Sequence, residues 1–117
     1  MRLHEVLIVW LLQAAGVPEN HLPTMLCIAF HESRYDPTAV NENTNGSRDI
    51  GLFQINARLW SEECQATEQD LYDPGVNTKC AAYVLKVQGL RAWYGYIRNE
   101  NDCDNTRKWK QRFHESR

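Results

Sequence analysis

The chain lacks an apolar run long enough to cross a membrane, because its most apolar stretch ends by Gly16 and a span needs about 18–20 residues. No CxxC pair occurs, which removes the usual structural zinc site. Glycine-rich phosphate loops and dinucleotide fingerprints are missing. Charge is balanced, with 13 basic and 15 acidic residues, a net charge of −2 and a sequence pI near 6.1. Binding to a phosphate backbone therefore has no global electrostatic support. Paired histidines are lacking too. His31-Glu32 begins like HExxH, but Tyr35 stands at the second ligand position, and His4, His21 and His114 show no paired spacing. No metal, no cofactor, no nucleic-acid partner and no membrane insertion are expected. The basic run Arg107, Lys108, Lys110 and Arg112 reads as a solvated helix face.

What is present bounds the chain further. Its 117 residues point to one domain over 1–117 with a small core. Apolar residues make up 43% and charged residues 24%, an ordinary globular balance. Four tryptophans and five tyrosines are many for this size; aromatics fill cores and also stack on sugars and bases. Cysteines stand at 27, 64, 80 and 103. An even count with wide gaps favours two disulfides and an extracellular origin over four buried thiols in a cytosolic protein. Three pairings are open.

The start, MRLHEVLIVWLLQAAG, imitates a signal peptide. Leu3, Val6, Leu7, Trp10, Leu11 and Ala14 also recur at helical spacing, and Gly16-Val17-Pro18 supplies a stop. The helix, over about 3–15, is the preferred reading. A second helix starts near Pro23, buries Met25, Leu26, Ile28, Ala29 and Phe30, and ends at Asp36-Pro37. Asn45-Gly46 signals a hairpin. The arm after it alternates, with Ile50, Leu52 and Gln54 on one side and Asp49, Gly51 and Phe53 on the other. Residues 57–72 read as loop. Asp73-Pro74 opens a third helix with Val76, Cys80, Tyr83, Val84 and Val87 as its buried stripe and Gly89 as its end. Residues 91–97 are aromatic and ambiguous, and the polar tail from 105 reads as a short exposed helix.

The pentapeptide FHESR occurs at 30–34 and again at 113–117. Only the first copy has a setting for chemistry. Glu32 sits in the last turn of the second helix, where the negative end of the helix dipole favours the protonated form. Apolar neighbours raise a carboxyl further by desolvation, which suits a general acid. Asp49 follows on the hairpin, where Asn43, Ser47 and Asn56 can donate hydrogen bonds and keep it ionised. One acid held neutral and one held charged is what glycoside hydrolysis needs. The bland alternative is an exposed helix-end acid and a turn residue, and on composition alone it prevails, because most acids do nothing special.

The runs CIAFHESRYDP (27–37), NENTNGSRDIGLFQIN (41–56) and RLW (58–60), with LLQAAGVP and LPTMLC before them and NTKCAAYV and AWYGY after, resemble the chicken-type animal lysozymes, the insect members above all. The resemblance covers most of residues 3–103 in order and implies an α+β fold: a mainly helical lobe, a small antiparallel β-hairpin lobe and a cleft between them. It implies a secreted glycosidase that cleaves β-1,4 bonds between N-acetylmuramic acid and N-acetylglucosamine in peptidoglycan, with chito-oligosaccharides as further substrates, acting as a monomer in an antimicrobial or digestive setting. Glu32 falls on the family's general acid and Asp49 on its second carboxylate. Asn43, Gln54 and Asn56 fall on polar cleft positions, and Trp60 and Trp93 on aromatic ones, with Trp93 against Glu32.

The departures are specific. Leu59 stands where the family usually has a ring. Val6 and Ser61 occupy cysteine positions whose partners are also absent, so two of the family's four disulfides are lost as pairs. The resemblance selects Cys27–Cys103 and Cys64–Cys80, which the chain-entropy model values at about 4–5 and about 3 kcal/mol. The segment between Trp93 and Cys103 is longer than usual, and GVNTKC lacks the acidic cluster of calcium-binding members. The rival reading is a lysozyme-like module, part of a longer secreted chain, that binds sugar or a partner without cleaving. Asn45-Gly46-Ser47 is also a glycosylation sequon. A glycan there crowds the expected cleft mouth, so low occupancy is expected in mass spectra of the natural protein. Full occupancy in an active protein would place the turn away from the cleft.

Overall fold

A computed structural model describes residues 1–116. Its centre is the helix α2 (Leu22–Ser33), which packs against α1 (Glu5–Ala14), α5 (Tyr94–Ile97), α6 (Glu100–Cys103) and α7 (Thr106–Glu115). Pro23 sits in its first turn, where a missing N–H costs nothing. Leu22, Met25, Leu26, Ile28 and Ala29 are buried nearly all round it. The helix stops at Ser33, before the expected Asp36-Pro37, because Arg34 and Tyr35 both take positive φ, 56° and 65°. Side chains hold that unfavourable backbone in place. Tyr35 is buried with its hydroxyl 3.3 Å from the Leu26 carbonyl, and the Arg34 guanidinium lies over the Phe30 ring.

Strands β1 (Val40–Glu42), β2 (Arg48–Ile50) and β3 (Ile55–Asn56) form one antiparallel sheet in that order. The hairpin turns at Asn45-Gly46, with Asn41 opposite Asp49 and Asp49 opposite Asn56. The expected alternation lasts only to Ile50. Leu52 and Phe53 are both fully buried, because the chain leaves the sheet at Gly51 (φ 79°) and dives between the lobes. A Cβ on Gly51 would lie 2.5 Å from the Asn77 amide nitrogen, so both φ and space require glycine. Mainly helical with a small sheet, the architecture is the expected α+β class.

Four further expectations about elements fail. Residues 57–72 contain a helix, α3 (Ala57–Cys64), and a 3₁₀ turn at Asp70–Tyr72. The Asn56 side chain caps α3 by accepting the Leu59 N–H at 3.2 Å, and its inner face is Ala57, Trp60, Ser61 and Cys64. So few apolar residues hid the period. The third predicted helix is α4 (Pro74–Gln88), capped by Asp73 and ended at Gly89 as expected, but its buried face is Asn77, Thr78, Cys80, Ala81, Val84 and Leu85. Val76, Tyr83 and Val87 face outward. In α1 the buried residues are Ile8, Val9 and Leu12, while Val6, Leu7 and Trp10 are exposed, Trp10 at 63%. A run apolar on every side fixes no face by period alone. The tail helix α7, capped by Asn105, is not merely exposed, because it buries Trp109 and Phe113. Residues 91–97, ambiguous in sequence, fall in a 3₁₀ turn at Leu90–Ala92 and then in α5.

Two disulfides brace this frame: Cys27–Cys103 joins α2 to α6, and Cys64–Cys80 joins α3 to α4. The polar anchor is Asn77, 1% exposed. Its Oδ1 accepts the Phe53 N–H at 2.8 Å, and its Nδ2 donates to the Ile50 and Leu71 carbonyls, each at 2.8 Å. Asn77→Ala would remove its hydrogen bonds to three buried backbone groups. A loss of about 3 kcal/mol or more in urea unfolding is expected; a loss under about 1 kcal/mol would show that water replaces the amide.

Candidate active site

Between the lobes lies a cleft of about 440 Å³. Glu32, Asn43, Asp49, Gln54, Asn56, Trp60 and Trp93 all line it. They arrive from four directions: the end of α2, the sheet, the start of α3 and the turn before α5. Leu59 lines it too, 66% exposed.

Glu32 is half-buried in the last turn of α2. Burial is the largest influence on its carboxyl and pushes the pKa up. The Gly95 N–H, donating to Oε2 at 2.6 Å, pulls it back down. The charge of Asp49 raises it and that of Arg98 lowers it, and the net shift is upward. The sequence suggested the helix end and apolar neighbours as causes; desolvation dominates here.

Asp49 faces the cleft from β2, flanked by Asn41 and Asn56 on the neighbouring strands. The donors expected to serve it are used elsewhere. Asn43 Nδ2 and Asn56 Nδ2 lie 3.0 and 3.1 Å from Ser47 Oγ, and that hydroxyl donates to Asn45 Oδ1 at 2.6 Å. The three residues thus brace the hairpin wall rather than bond Asp49. Gln54, at φ 49°, donates from Nε2 toward the Ala39 and Gly51 carbonyls and accepts from Asn41, so its amide locks the strap, residues 51–54, that follows β2.

Trp93 is only 4% exposed. Its indole N–H donates to the Phe53 carbonyl at 2.9 Å, and its ring meets Phe53 edge-on. It is chiefly a wall that ties the helical lobe to the strap. Trp60 is half-buried and meets Tyr83 edge-on, so part of its ring stays open to the cleft.

Sequence reasoning missed Gly95, Asn45, Tyr94 and Arg98 at this site, and it gave Ser47 a different partner. A signal existed for the first: a lone glycine inside WYGYI asks for a close approach. Elsewhere, Cys27, His31 and Cys103 come together, but the two sulfurs are bonded to each other and offer no thiolate to a metal. The second FHESR has no such setting. Phe113 is buried, Glu115 is exposed and accepts from Gln111, and Arg117 lies outside the described residues.

A Cβ on Gly95 would lie 2.6 Å from Glu32 Oε2. Gly95→Ala therefore has to push the carboxyl aside. A fall of about tenfold or more in glycosidase turnover, with the fold intact by circular dichroism, is expected; unchanged turnover would mean that the carboxyl has room to move.

The comparisons agree with this geometry. A family model described as "Lysozyme like domain" matches residues 10–94. Lysozyme 2 of Lucilia sericata is 40% identical over 105 residues, covering 78% of this chain and 70% of that protein. Lysozyme c-1 of Anopheles gambiae is 34% identical over 97 residues, covering 76% and 67%. The crystal structure of a lysozyme from Litopenaeus vannamei superposes with a TM-score of 0.75 at 26% identity, covering 99% of this chain and 97% of that one. In sequence, in fold and in the cleft between its lobes, this chain belongs to the lysozyme family.

Proposed function

We propose that this lysozyme-type glycoside hydrolase cleaves the β-1,4 bonds between N-acetylmuramic acid and N-acetylglucosamine in peptidoglycan, and accepts chito-oligosaccharides as further substrates. A sugar substrate follows from the family. The observation that carries the residue-level reading is the environment of Glu32: a half-buried carboxyl, raised by desolvation, sharing one cleft with a second acid. A carboxyl whose pKa is raised keeps its proton to higher pH than an ordinary one and can donate it to a leaving oxygen. Lysozyme is the type case of the retaining two-carboxylate mechanism.

In that mechanism Glu32 protonates the glycosidic oxygen as the bond breaks. Asp49, as carboxylate, forms the glycosyl intermediate or stabilises the oxocarbenium-like state. Glu32, now ionised, takes a proton from water, which attacks the anomeric carbon and returns both groups to their starting forms. Asn43, Gln54 and Asn56 shape the polar wall, and Trp60 offers a ring face to a pyranose. Trp93, which the resemblance sets against the acid and which lines the same cleft, would exclude water there and sustain the desolvation that raises it.

The same reading places residues 1–117 in one lysozyme-like domain that acts as a monomer outside the cell, where two disulfides persist. With a net charge of −2 the chain has no strong pull toward anionic walls or nucleic acid. Among the described residues no helix is long and apolar enough to cross a membrane.

Glu32→Gln keeps shape and removes the proton. Hydrolysis should fall by about a thousandfold or more, while oligosaccharide binding persists and Glu115→Gln changes nothing. An active Glu32→Gln enzyme would end this mechanism, and a parent that binds without cleaving would make the chain a binding module. The parent should work best on the acid side of neutral, at low to moderate salt, and lose activity as pH rises through the raised pKa of Glu32. Stability follows the same group. A raised folded pKa means that the folded state holds the proton more tightly, so stability falls as pH climbs from the unfolded carboxyl value through the folded one. Glu32→Gln should lack that fall and melt higher than the parent above it.

A further inference from the structure

Glu32 is not held by its own helix alone. A closed circuit of hydrogen bonds leaves α2 at His31 and returns at Glu32. His31 Nε2 lies 2.7 Å from Asp102 Oδ2 on α6. The Asp102 N–H donates to the Asn99 carbonyl at 3.1 Å, and Asn99 Nδ2 donates to the Gly95 carbonyl at 2.8 Å. The Gly95 N–H then donates to Glu32 Oε2 at 2.6 Å. Two adjacent residues of α2 thus grip the two ends of one short segment.

That segment needs the grip. Helices α5 and α6 have four residues each, far too short to hold a shape unaided. The Cys27–Cys103 bridge anchors only the far end of α6. Asp102 supplies a noncovalent tie to α2 beside it, while Arg91–Glu100 and Tyr96–Asp104 join the segment only to its own chain neighbours. Asp102 is also built to stay ionised: partial burial raises its carboxyl, but hydrogen bonds from Lys108, His31 and Trp109 outweigh that and hold it below the usual range. The Lys108 bond, at 2.6 Å to Oδ1, comes from α7 and lies outside the circuit.

We propose that His31 and Asp102 are positioning residues for the general acid, a pair that fixes the α5–α6 segment so that the Gly95 amide meets the Glu32 carboxylate. The proposal rests on the reading of Glu32 as that acid. Its consequence has a definite sign. An N–H donor favours the ionised carboxylate, and Arg98, carried on the same segment, favours it as well. Asp49, which faces Glu32 from β2, acts the other way and does not depend on the segment. Slackening the pair, with the segment still packed on α2 by the Cys27–Cys103 bridge, therefore removes two influences of one sign and leaves Asp49 and most of the burial. The titration of Glu32 moves up, and the carboxyl loses its fixed place.

The test is an NMR titration of protein carrying ¹³C-labelled glutamate carboxyls, run beside the pH profile of chito-oligosaccharide cleavage. His31→Ala and Asp102→Ala should each raise the Glu32 midpoint by about half a unit or more. The alkaline limb of activity should move with it, and kcat should drop at least about threefold with KM nearly unchanged. The double variant should match the more affected single one, since both cut one circuit. His31→Gln, which restores an N–H donor, should return the midpoint toward the parent, and Lys108→Met should leave it in place. If either alanine variant fails to fold, Asn99→Ala, which opens the circuit at its middle, should raise the midpoint in the same way. A parental midpoint in the folded circuit variants, or an equal rise in Lys108→Met, overturns the proposal. Because the midpoint is read without turnover, an active Glu32→Gln enzyme would remove the catalytic reading and leave this result standing or falling by itself.

Discussion

The backbone from Ile50 to Phe53 leaves the sheet inside the protein, where its peptide groups have no water to bond. A buried peptide group without a partner costs about as much as a lost hydrogen bond, so something must replace the missing strand. Besides Gln54, which bonds the Gly51 carbonyl from within the loop, three side chains of the helical lobe do. Asn77 from α4 takes the Ile50 carbonyl and the Phe53 N–H. The Ser33 hydroxyl, at the end of α2, donates to the Leu52 carbonyl at 2.7 Å. The Trp93 indole donates to the Phe53 carbonyl. Each comes from a different part of the helical lobe, and together they fix the sheet against it. The cleft exists because this strap can be held at a distance from the strands it leaves.

The acid side of the cleft is set by opposition rather than by burial alone. A carboxyl buried without partners would be too weak an acid to release its proton in the transition state. One stabilised by several donors would be ionised before substrate arrived. Glu32 has one amide donor, a nearby cation and a nearby carboxylate, against the larger effect of desolvation. Gly95 makes this balance possible, since only a residue without a side chain lets the amide approach so closely. The pattern explains why a glycine stands inside an otherwise bulky aromatic segment.

Capping and turn chemistry were legible in the sequence. Asp73-Pro74, Asn45-Gly46 and Gly89 sit where their conformational preferences place them. The approach of Glu32 and Asp49 to one cleft was legible through the long motif that contains them. Burial was less so. In α1 nearly every position is apolar, so the period could not choose a face; in α4 the inward residue is Asn77, whose value lies in hydrogen bonds formed 24–27 residues away in sequence. Helix α3 escaped because its start depends on Asn56, read only as a cleft residue. The donors assigned to Asp49 were misread for the same reason: side-chain amides near an acid in sequence were captured by Ser47, a partner that only the folded hairpin supplies. The circuit through Asp102 joins residues 71 apart, and no local pattern announces it.

The two disulfides also order events on the ribosome. Cys64 meets its partner 16 residues later, but Cys27 waits for a partner 76 residues further on. At the usual pace of synthesis those waits are about 1–3 s and about 4–15 s. Through most of the longer interval α2 has α1 to pack against but lacks its other helical partners, because α5, α6 and α7 come last. When Cys64 and Cys80 emerge, Cys27 is already present as a free thiol, so two wrong pairings are available before the right one. The quick closure of the short loop removes both competitors. A chain with fewer cysteines thus has a simpler route through oxidation: once the near pair is joined, only one bond is left to form.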